Sequence, residues 1–153
     1  MNRVIVWIVA IGCVVVGAYM SAAPALKDSP EAAARRELGQ LEGTWTLMSL
    51  EMNGRQSLGE DETRTFTFAK GKWALAKGGE NYSSGTVRLV DPVRDPRAFD
   101  LIATEGGREV VYTSIFRIDG DTLRYCTGPG RLKAFASKAG DGCIYSVWKR
   151  KKP

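Results

Sequence analysis

The sequence predicts an all-β protein: an eight-stranded antiparallel up-and-down barrel preceded by a short N-terminal helix. After Gly43 the chain contains eight short runs of β-type residues, and turn pairs such as Asn53-Gly54 and Asp119-Gly120 separate them. Several runs alternate apolar and polar residues, which is typical of strands with one buried face. Closing the sheet removes the two edges that an open sheet exposes to other chains. A two-sheet sandwich is the alternative architecture.

The helix comes first in chain order. Ser29-Pro30-Glu31 combines a capping serine, a proline at the first helical position and an acid in the first turn, and we expect the helix to end near Leu41. The predicted strand runs are 44–52, 63–69, 72–76, 82–90, 97–103, 109–118, 122–127 and 143–150. In the first run, strict alternation would place Trp45 and Leu47 on one face of the strand and Met48 and Leu50 on the other. Because all four are apolar, we expect a β-bulge or a strong bend there.

The N-terminal segment predicts export. Arg3 precedes an uncharged stretch over 4–20, and Ala23-Pro24-Ala25 supplies the small residues of a cleavage site before Leu26. This gives four parts: a signal peptide (1–25), a linker with the short helix (26–42), the barrel domain (43–150) and a basic tail (151–153). The predicted location is periplasmic or secreted. The alternatives are an uncleaved membrane anchor and a lipoprotein cleaved before Cys13.

Composition limits the chemistry. The chain has no histidine, which removes the commonest general base and most imidazole zinc sites. Asp91-Pro92 and Asp119-Gly120-Asp121 fit turns in which aspartate caps its own backbone. We therefore expect no enzymatic activity, no metal and no cofactor. A net charge of +5 selects no partner. Export and the lack of a basic stripe interleaved with exposed aromatics predict no nucleic-acid binding. We also expect a monomer.

Two cysteines, Cys126 and Cys143, flank the last connection, and in an oxidising compartment we expect them to form a disulfide. Two reduced thiols are the alternative. Alternation places Cys126 on the outer face. If Cys143 is also outside, the residues that point inward from the last run are Ile144, Ser146, Trp148 and Arg150.

The run Gly43-Thr44-Trp45, which opens the first strand after a helix, resembles the opening signature of lipocalins. The resemblance implies that Trp45 closes one end of the barrel and that a basic residue of the last strand packs over it. In a closed barrel the last strand lies antiparallel to the first, which makes Arg150 that residue. Gly43, Trp45 and Arg150 are thus the predicted closure residues.

A wider resemblance covers roughly residues 41–150. Its motifs are Leu41-x-Gly43-x-Trp45, Ser49-Leu50-Glu51, Asn53-Gly54, Phe66-Thr67-Phe68, Gly85-Thr86, Asp100-Leu101, the run Ile118-Asp119-Gly120-Asp121-Thr122-Leu123, Tyr125-Cys126 and the basic tail. Together they resemble an uncharacterised, usually secreted, lipocalin-like domain family common in planctomycete-type bacteria. That family implies the fold and brings no activity, substrate or site residue.

Two functions follow as hypotheses. The first is a barrel that binds a small apolar or amphipathic ligand, with a predicted lining of Phe66, Phe68, Trp73, Tyr112, Phe116 and Tyr125. The alternative is a structural or interaction domain of the cell envelope with a fully packed barrel, which acts through its loops or through peripheral contact of the basic end, 149–152, with an anionic surface. An interior cavity of about 300 Å³ or more favours the first.

Overall fold

The computed structural model describes residues 29–57, 63–91 and 94–152, so the predicted signal peptide lies outside the described residues. Helix α1 runs from Pro30 to Leu41, and the side chain of Ser29 accepts a hydrogen bond from the Ala32 backbone N at 3.2 Å. The predicted helix start is therefore confirmed. Within this part of the chain, helical structure is too short and too polar to cross a membrane.

Nine strands follow the helix. They are β1 Gly43–Met52, β2 Arg55–Gln56, β3 Arg64–Ala69, β4 Lys72–Lys77, β5 Glu80–Asp91, β6 Arg97–Glu105, β7 Arg108–Asp119, β8 Thr122–Thr127 and β9 Ile144–Arg150. Each predicted run corresponds to one of them, and the ends differ by at most two residues. The two-residue β2, which pairs with the end of β1, is the additional element.

The sheet closes into a barrel. Strands β1 and β3 to β9 pair antiparallel in chain order, and β9 pairs back onto β1 from Trp45↔Arg150 to Met52↔Ile144. The eight-stranded up-and-down barrel is therefore confirmed over the sandwich. The register shifts between Leu47 and Ser49, and the residue between them, Met48, is 58 % exposed. This is the expected bulge.

The two ends of the barrel differ, and we name them by what covers them. At the closed end, β1 begins, β9 ends and α1 lies alongside. Trp45 is fully buried there, its Nε1 donates to the Leu41 carbonyl at 2.8 Å, and the Arg150 guanidinium lies 4.0 Å from the centre of its ring. Arg150 also donates to the carbonyl oxygens of Gln40 and Glu42 at 2.7 and 2.6 Å, which otherwise would lack partners at the helix end. Arg150 therefore packs over Trp45 at this end, which is the contact that the resemblance implies.

Gly43 is part of the same arrangement. Its φ of +122° suits glycine alone, and a Cβ at this position would lie 3.1 Å from Nη1 of Arg150. The Gly-x-Trp spacing therefore has a local physical reason, because glycine allows the chain to turn from α1 into β1 beneath the arginine.

At the open end, β1 ends and β9 begins. The connection from β8 to β9, residues 128–143, folds back over the outside of the barrel, and we call it the outer loop. Its Leu132 and Phe135 pack against Ala98, Ile115 and Cys126 on the outer face. Outside the barrel, the outer loop thus forms a second small core.

Polar contacts fasten the outer loop. Arg131 donates to the carboxylate of Asp100 at 2.6 Å, and Arg88 contacts the same carboxylate at 2.8 Å. Asp100 is 1 % exposed, and burial raises its pKa, but the hydrogen bonds and charges of Arg131 and Arg88 outweigh burial and lower the pKa below 3.8. Arg94 also donates to the Leu132 carbonyl at 2.8 Å.

The expected disulfide between Cys126 and Cys143 is not present, because both are buried free thiols. Cys126 pairs across the ladder with Tyr145, so Cys143 occupies the diagonal position two residues away. Diagonal neighbours are about 7–8 Å apart at Cα, beyond the usual disulfide range of about 4.4–6.8 Å. Cys126 does lie on the outer face as predicted, and Ser146 and Trp148 are buried inside as expected.

Candidate ligand-binding cavity

The open half of the barrel interior contains a cavity of about 750 Å³. Its inner wall is mainly apolar and includes Leu47, Leu50, Trp73, Leu101, Tyr125 and Trp148. Its outer part includes Met52, Arg64, Asn81, Tyr82, Glu105 and Thr127, which lie near the strand ends that form the open end. The volume exceeds the 300 Å³ threshold that separates the two functional hypotheses.

The cavity exists because inward side chains shrink from the closed end to the open end. Along β6 the inward series is Phe99, Leu101 and Ala103, and only the last two reach the cavity. Small side chains on β5 and β9, Ser83 and Ser146, also line it. The alternation of inward and outward side chains therefore continues along each strand. The inward side chains near the open end are too small to fill the barrel interior.

The six predicted lining residues divide between two places. Trp73, Tyr112 and Tyr125 line the cavity. Phe66, Phe68 and Phe116 lie in the packed core instead and are almost fully buried. The aromatic set thus both packs the closed half and lines part of the cavity.

The packed phenylalanines form the base of the cavity. The ring centres of Phe66 and Phe68 are 4.2 Å apart, and Phe66 lies 5.5 Å from Tyr125 and 5.3 Å from Trp148. Contacts of this kind hold the two cavity-lining rings from below. The wall is therefore preformed, with little freedom for these rings to move into the empty volume.

Most polar groups on the wall are paired within the protein. Nε1 of Trp148 donates to Ser146 Oγ at 2.8 Å, and Ser114 Oγ donates to the Tyr125 hydroxyl at 3.1 Å. Burial raises the pKa of Tyr125 to about 12, so its phenol is neutral at physiological pH. The Tyr112 hydroxyl donates to Glu105, and this hydrogen bond, with burial, raises the pKa of Tyr112. The wall thus presents neutral hydroxyl groups to the cavity.

One buried indole donor beside the cavity is different. Nε1 of Trp73 has no hydrogen-bond partner among the residues that the structure describes. Trp73 itself is 3 % exposed. Such a group is uncommon in a folded protein and calls for an explanation.

Sequence reasoning missed several lining residues, among them Leu47, Leu101 and Arg64. Arg64 carried a usable signal, because it shares the inward face of β3 with Phe66 and Phe68. A charged residue on an inward face at the end of a strand indicates the entrance of a barrel, where its head group reaches water. The leucines gave no such signal, since a core leucine and a cavity leucine look alike in sequence.

Over residues 29–57, 63–91 and 94–152, no three carboxylates or thiols come together as metal ligands would. Comparison with family models, curated proteins and solved structures finds no match.

Proposed function

We propose that this protein is an exported binding protein that takes up one small apolar or amphipathic molecule in the cavity of its open half. The observation that carries the proposal is the 750 Å³ cavity with an apolar inner wall and a more polar entrance. Ligand sites typically measure about 300–1,000 Å³ and combine apolar walls with a few polar groups.

The binding free energy would come mainly from the apolar wall. Each Å² of apolar ligand surface removed from water contributes about 25 cal/mol. The wall is held by the phenylalanine core, so little ordering of side chains opposes binding. Arg64, Asn81 and Glu105 at the entrance suit a ligand with a polar end that stays near water.

Export is the second part of the proposal. Arg3, the uncharged stretch over 4–20 and Ala23-Pro24-Ala25 support synthesis with a cleaved signal peptide. N-terminal sequencing of the protein from an expressing bacterium tests this. A mature chain that begins at Leu26 supports cleavage, and a chain that retains residues 1–25 supports the membrane-anchored alternative.

The binding test is a titration with 1-anilinonaphthalene-8-sulfonate, followed by tryptophan fluorescence. Trp73 and Trp148 line the cavity and report binding directly. We expect a saturable response that Ala103→Phe abolishes, because Ala103 lines the cavity and a phenyl ring there occupies it. Ile102→Phe is the matched control, since Ile102 is the neighbouring half-buried residue outside the cavity lining. Equal binding by the two variants, both shown to unfold cooperatively, contradicts the proposal.

A second candidate function rests on a different surface, the basic rim of the closed end. The rim consists of six exposed basic residues: Lys70, Lys72, Arg124, Lys149, Lys151 and Lys152. None of the six forms an ion pair with a residue of the described ranges, whereas Arg97 and Arg117 nearby are paired with Glu37 and Asp95. Unpaired cations on neighbouring strands favour peripheral contact with an anionic membrane surface.

Vesicle sedimentation of the full chain tests this candidate. Neutralising four lysines (Lys70→Gln, Lys149→Gln, Lys151→Gln and Lys152→Gln) is expected to remove the preference for anionic over neutral vesicles. Neutralising Arg88, which is paired with Asp100 at the barrel side, is the control. A preference that survives the fourfold change rules out the rim as a membrane contact.

A further inference from the structure

The outer face of the barrel carries three arginines that gather around a single buried carboxylate. Arg88 and Arg131 contact Asp100 at 2.8 and 2.6 Å. Nη2 of Arg94 donates to the carbonyl oxygen of Leu132, the residue after Arg131, at 2.8 Å, and Arg94 forms no ion pair with a residue of the described ranges. We call these three residues, Arg88, Arg94 and Arg131, the arginine patch. None of them lines the cavity.

The strand register and the outer loop bring the patch together. Arg88, Asp100 and Thr113 are neighbours in a row across β5, β6 and β7 on the outer face. The Thr113 hydroxyl lies 2.8 and 2.6 Å from the carbonyl oxygens of Gly128 and Gly130, and this contact holds the start of the outer loop over the row. The next residue of the loop is Arg131, which therefore lies against Asp100.

The guanidinium groups are fixed from below and remain open to water. Asp100 is 1 % exposed, whereas the side chains of Arg88 and Arg131 are 59 % and 45 % exposed. A guanidinium has five N–H donors, and Asp100 accepts one from Arg88 and two from Arg131. Most of their donors are therefore left for another acceptor. Because Asp100 already holds both side chains, an incoming anion would have little side-chain ordering to oppose it.

The charges around the patch leave an excess of cations. Asp100 supplies one negative charge beneath the three arginines. Asp91 supplies another beside them, since its carboxylate accepts from the backbone N of Arg94 at 3.1 Å. Lys133, two residues after Arg131 in the outer loop, adds a further exposed cation. The two carboxylates repel an anion, but four cations outnumber them, so the net interaction is attractive.

We infer that the arginine patch binds a tetrahedral oxyanion, phosphate or sulfate, either as the free ion or as a monoester of a small molecule. Guanidinium forks match the spacing of oxyanion oxygens, and a terminal phosphate or sulfate offers three acceptor oxygens to the three arginines. A carboxylate offers only two oxygens and one charge. This site is separate from the cavity, and the inference does not depend on the proposed function.

The test is a titration of the full chain with inorganic phosphate at neutral pH and constant ionic strength, followed by NMR of ¹⁵N-labelled arginine Nε–H groups. We expect saturable shifts of the Arg88 and Arg131 resonances. Acetate is the comparison anion, and it should bind at least about tenfold more weakly. Phenyl phosphate separates the two sources of the anion. Binding as tight as that of phosphate indicates a site open to monoesters, and loss of binding indicates a site for the free ion.

Arg131→Lys keeps the charge next to Asp100 but removes the planar fork, so the affinity for phosphate should fall about tenfold. Arg117→Lys is the matched control, because Arg117 is 38 % exposed and is paired with Asp95 outside the patch, and its affinity should equal that of the wild type. Arg94→Gln is the second test. It removes a cation that forms no ion pair in the described chain, so the affinity should fall while Asp100 keeps both of its arginines.

Hydrogen exchange in residues 128–143 shows whether a variant has loosened the outer loop. A loss of phosphate binding with unchanged exchange supports the site. Shifts that grow linearly with phosphate and never saturate overturn the inference. So does an acetate affinity equal to that of phosphate, or wild-type phosphate affinity in both Arg131→Lys and Arg94→Gln.

Discussion

The closed and open halves of the barrel are built from the same eight strands but are filled in opposite ways. In the closed half, Phe66, Phe99 and Phe116 are fully buried, with the Phe99 and Phe116 ring centres 4.9 Å apart, and Trp45 lies between them and α1. In the open half, the same strands surround a cavity of about 750 Å³. The difference lies in side-chain volume, since the backbone ladders continue through both halves.

This division separates stability from binding. Close-packed aromatic residues supply large buried apolar area, and a single packed half with a capped end can hold the barrel together. The open half can then leave its volume empty at limited cost. Substitutions in the closed half should therefore change stability, and substitutions in the open half should change binding.

The strongest test of this division is Trp45→Ala. Removing a fully buried indole deletes its packing, its hydrogen bond to Leu41 and its contact with Arg150. We expect the free energy of unfolding to fall by about 3–5 kcal/mol, measured by urea denaturation. A loss below about 1 kcal/mol would show that the closed end does not supply the stability assigned to it.

Asp100→Asn tests whether the outer loop adds to the stability of the closed half. The side chain of Asp100 holds this loop through Arg131. The change removes the charge that holds Arg88 and Arg131, and we expect a loss of about 1–3 kcal/mol at neutral pH. Faster hydrogen exchange in residues 128–143 should accompany it. Arg88→Gln, which leaves the Arg131 contact in place, should cost less.

The pH dependence of that effect has a definite sign. Burial opposes ionisation of Asp100, but Arg131 and Arg88 hold its pKa below 3.8, so its contribution is present above the unfolded-state pKa. The contribution is lost as the pH falls through the lower folded-state value. The difference between wild type and Asp100→Asn should therefore shrink in acid, and a difference that stays constant to pH 2 contradicts this assignment.

Arg150→Lys examines the closure with a smaller expected effect. Lysine keeps the charge but lacks the planar fork that contacts Trp45 and donates to both Gln40 and Glu42. We expect a loss of about 0.5–2 kcal/mol in thermal or urea unfolding. Lys149→Arg is the control, because Lys149 is exposed and forms no ion pair in the described chain. Equal losses of stability in the two variants would show that Arg150 has no specific role in closing the barrel.

Much of the fold could be predicted from the sequence because its signals are local. The alternation of apolar and polar residues located the strands, and the break in alternation at Met48 predicted the bulge. Both signals depend on residues only a few positions apart. Trp45 and Arg150 lie on the first and last strands of the barrel and are far apart in sequence, yet their contact followed from the resemblance together with antiparallel closure.

The site could be predicted only in part, for a physical reason. Alternation shows which residues point inward but carries no information about whether neighbouring side chains fill the space between them. Phe68 and Trp73 both point inward, and only the second reaches the cavity. The disulfide prediction was wrong for a related reason. Alternation placed Cys126 on the outer face correctly, but the sequence did not show that Cys143 would lie diagonally across the ladder from it.

The smallest effect on stability is expected from Tyr82→Ser. This variant tests most directly whether the open half contributes to binding and not to stability. Tyr82 lies at the entrance of the cavity, and 55 % of it is exposed, so little packing is lost when the ring is removed. The free energy of unfolding should change by no more than about 0.5 kcal/mol. The affinity for an apolar probe should still fall severalfold, because the ring covers part of the bound molecule. A large loss of stability without a change in affinity would reverse the roles assigned to the two halves, since the open end would then be the part that holds the barrel together.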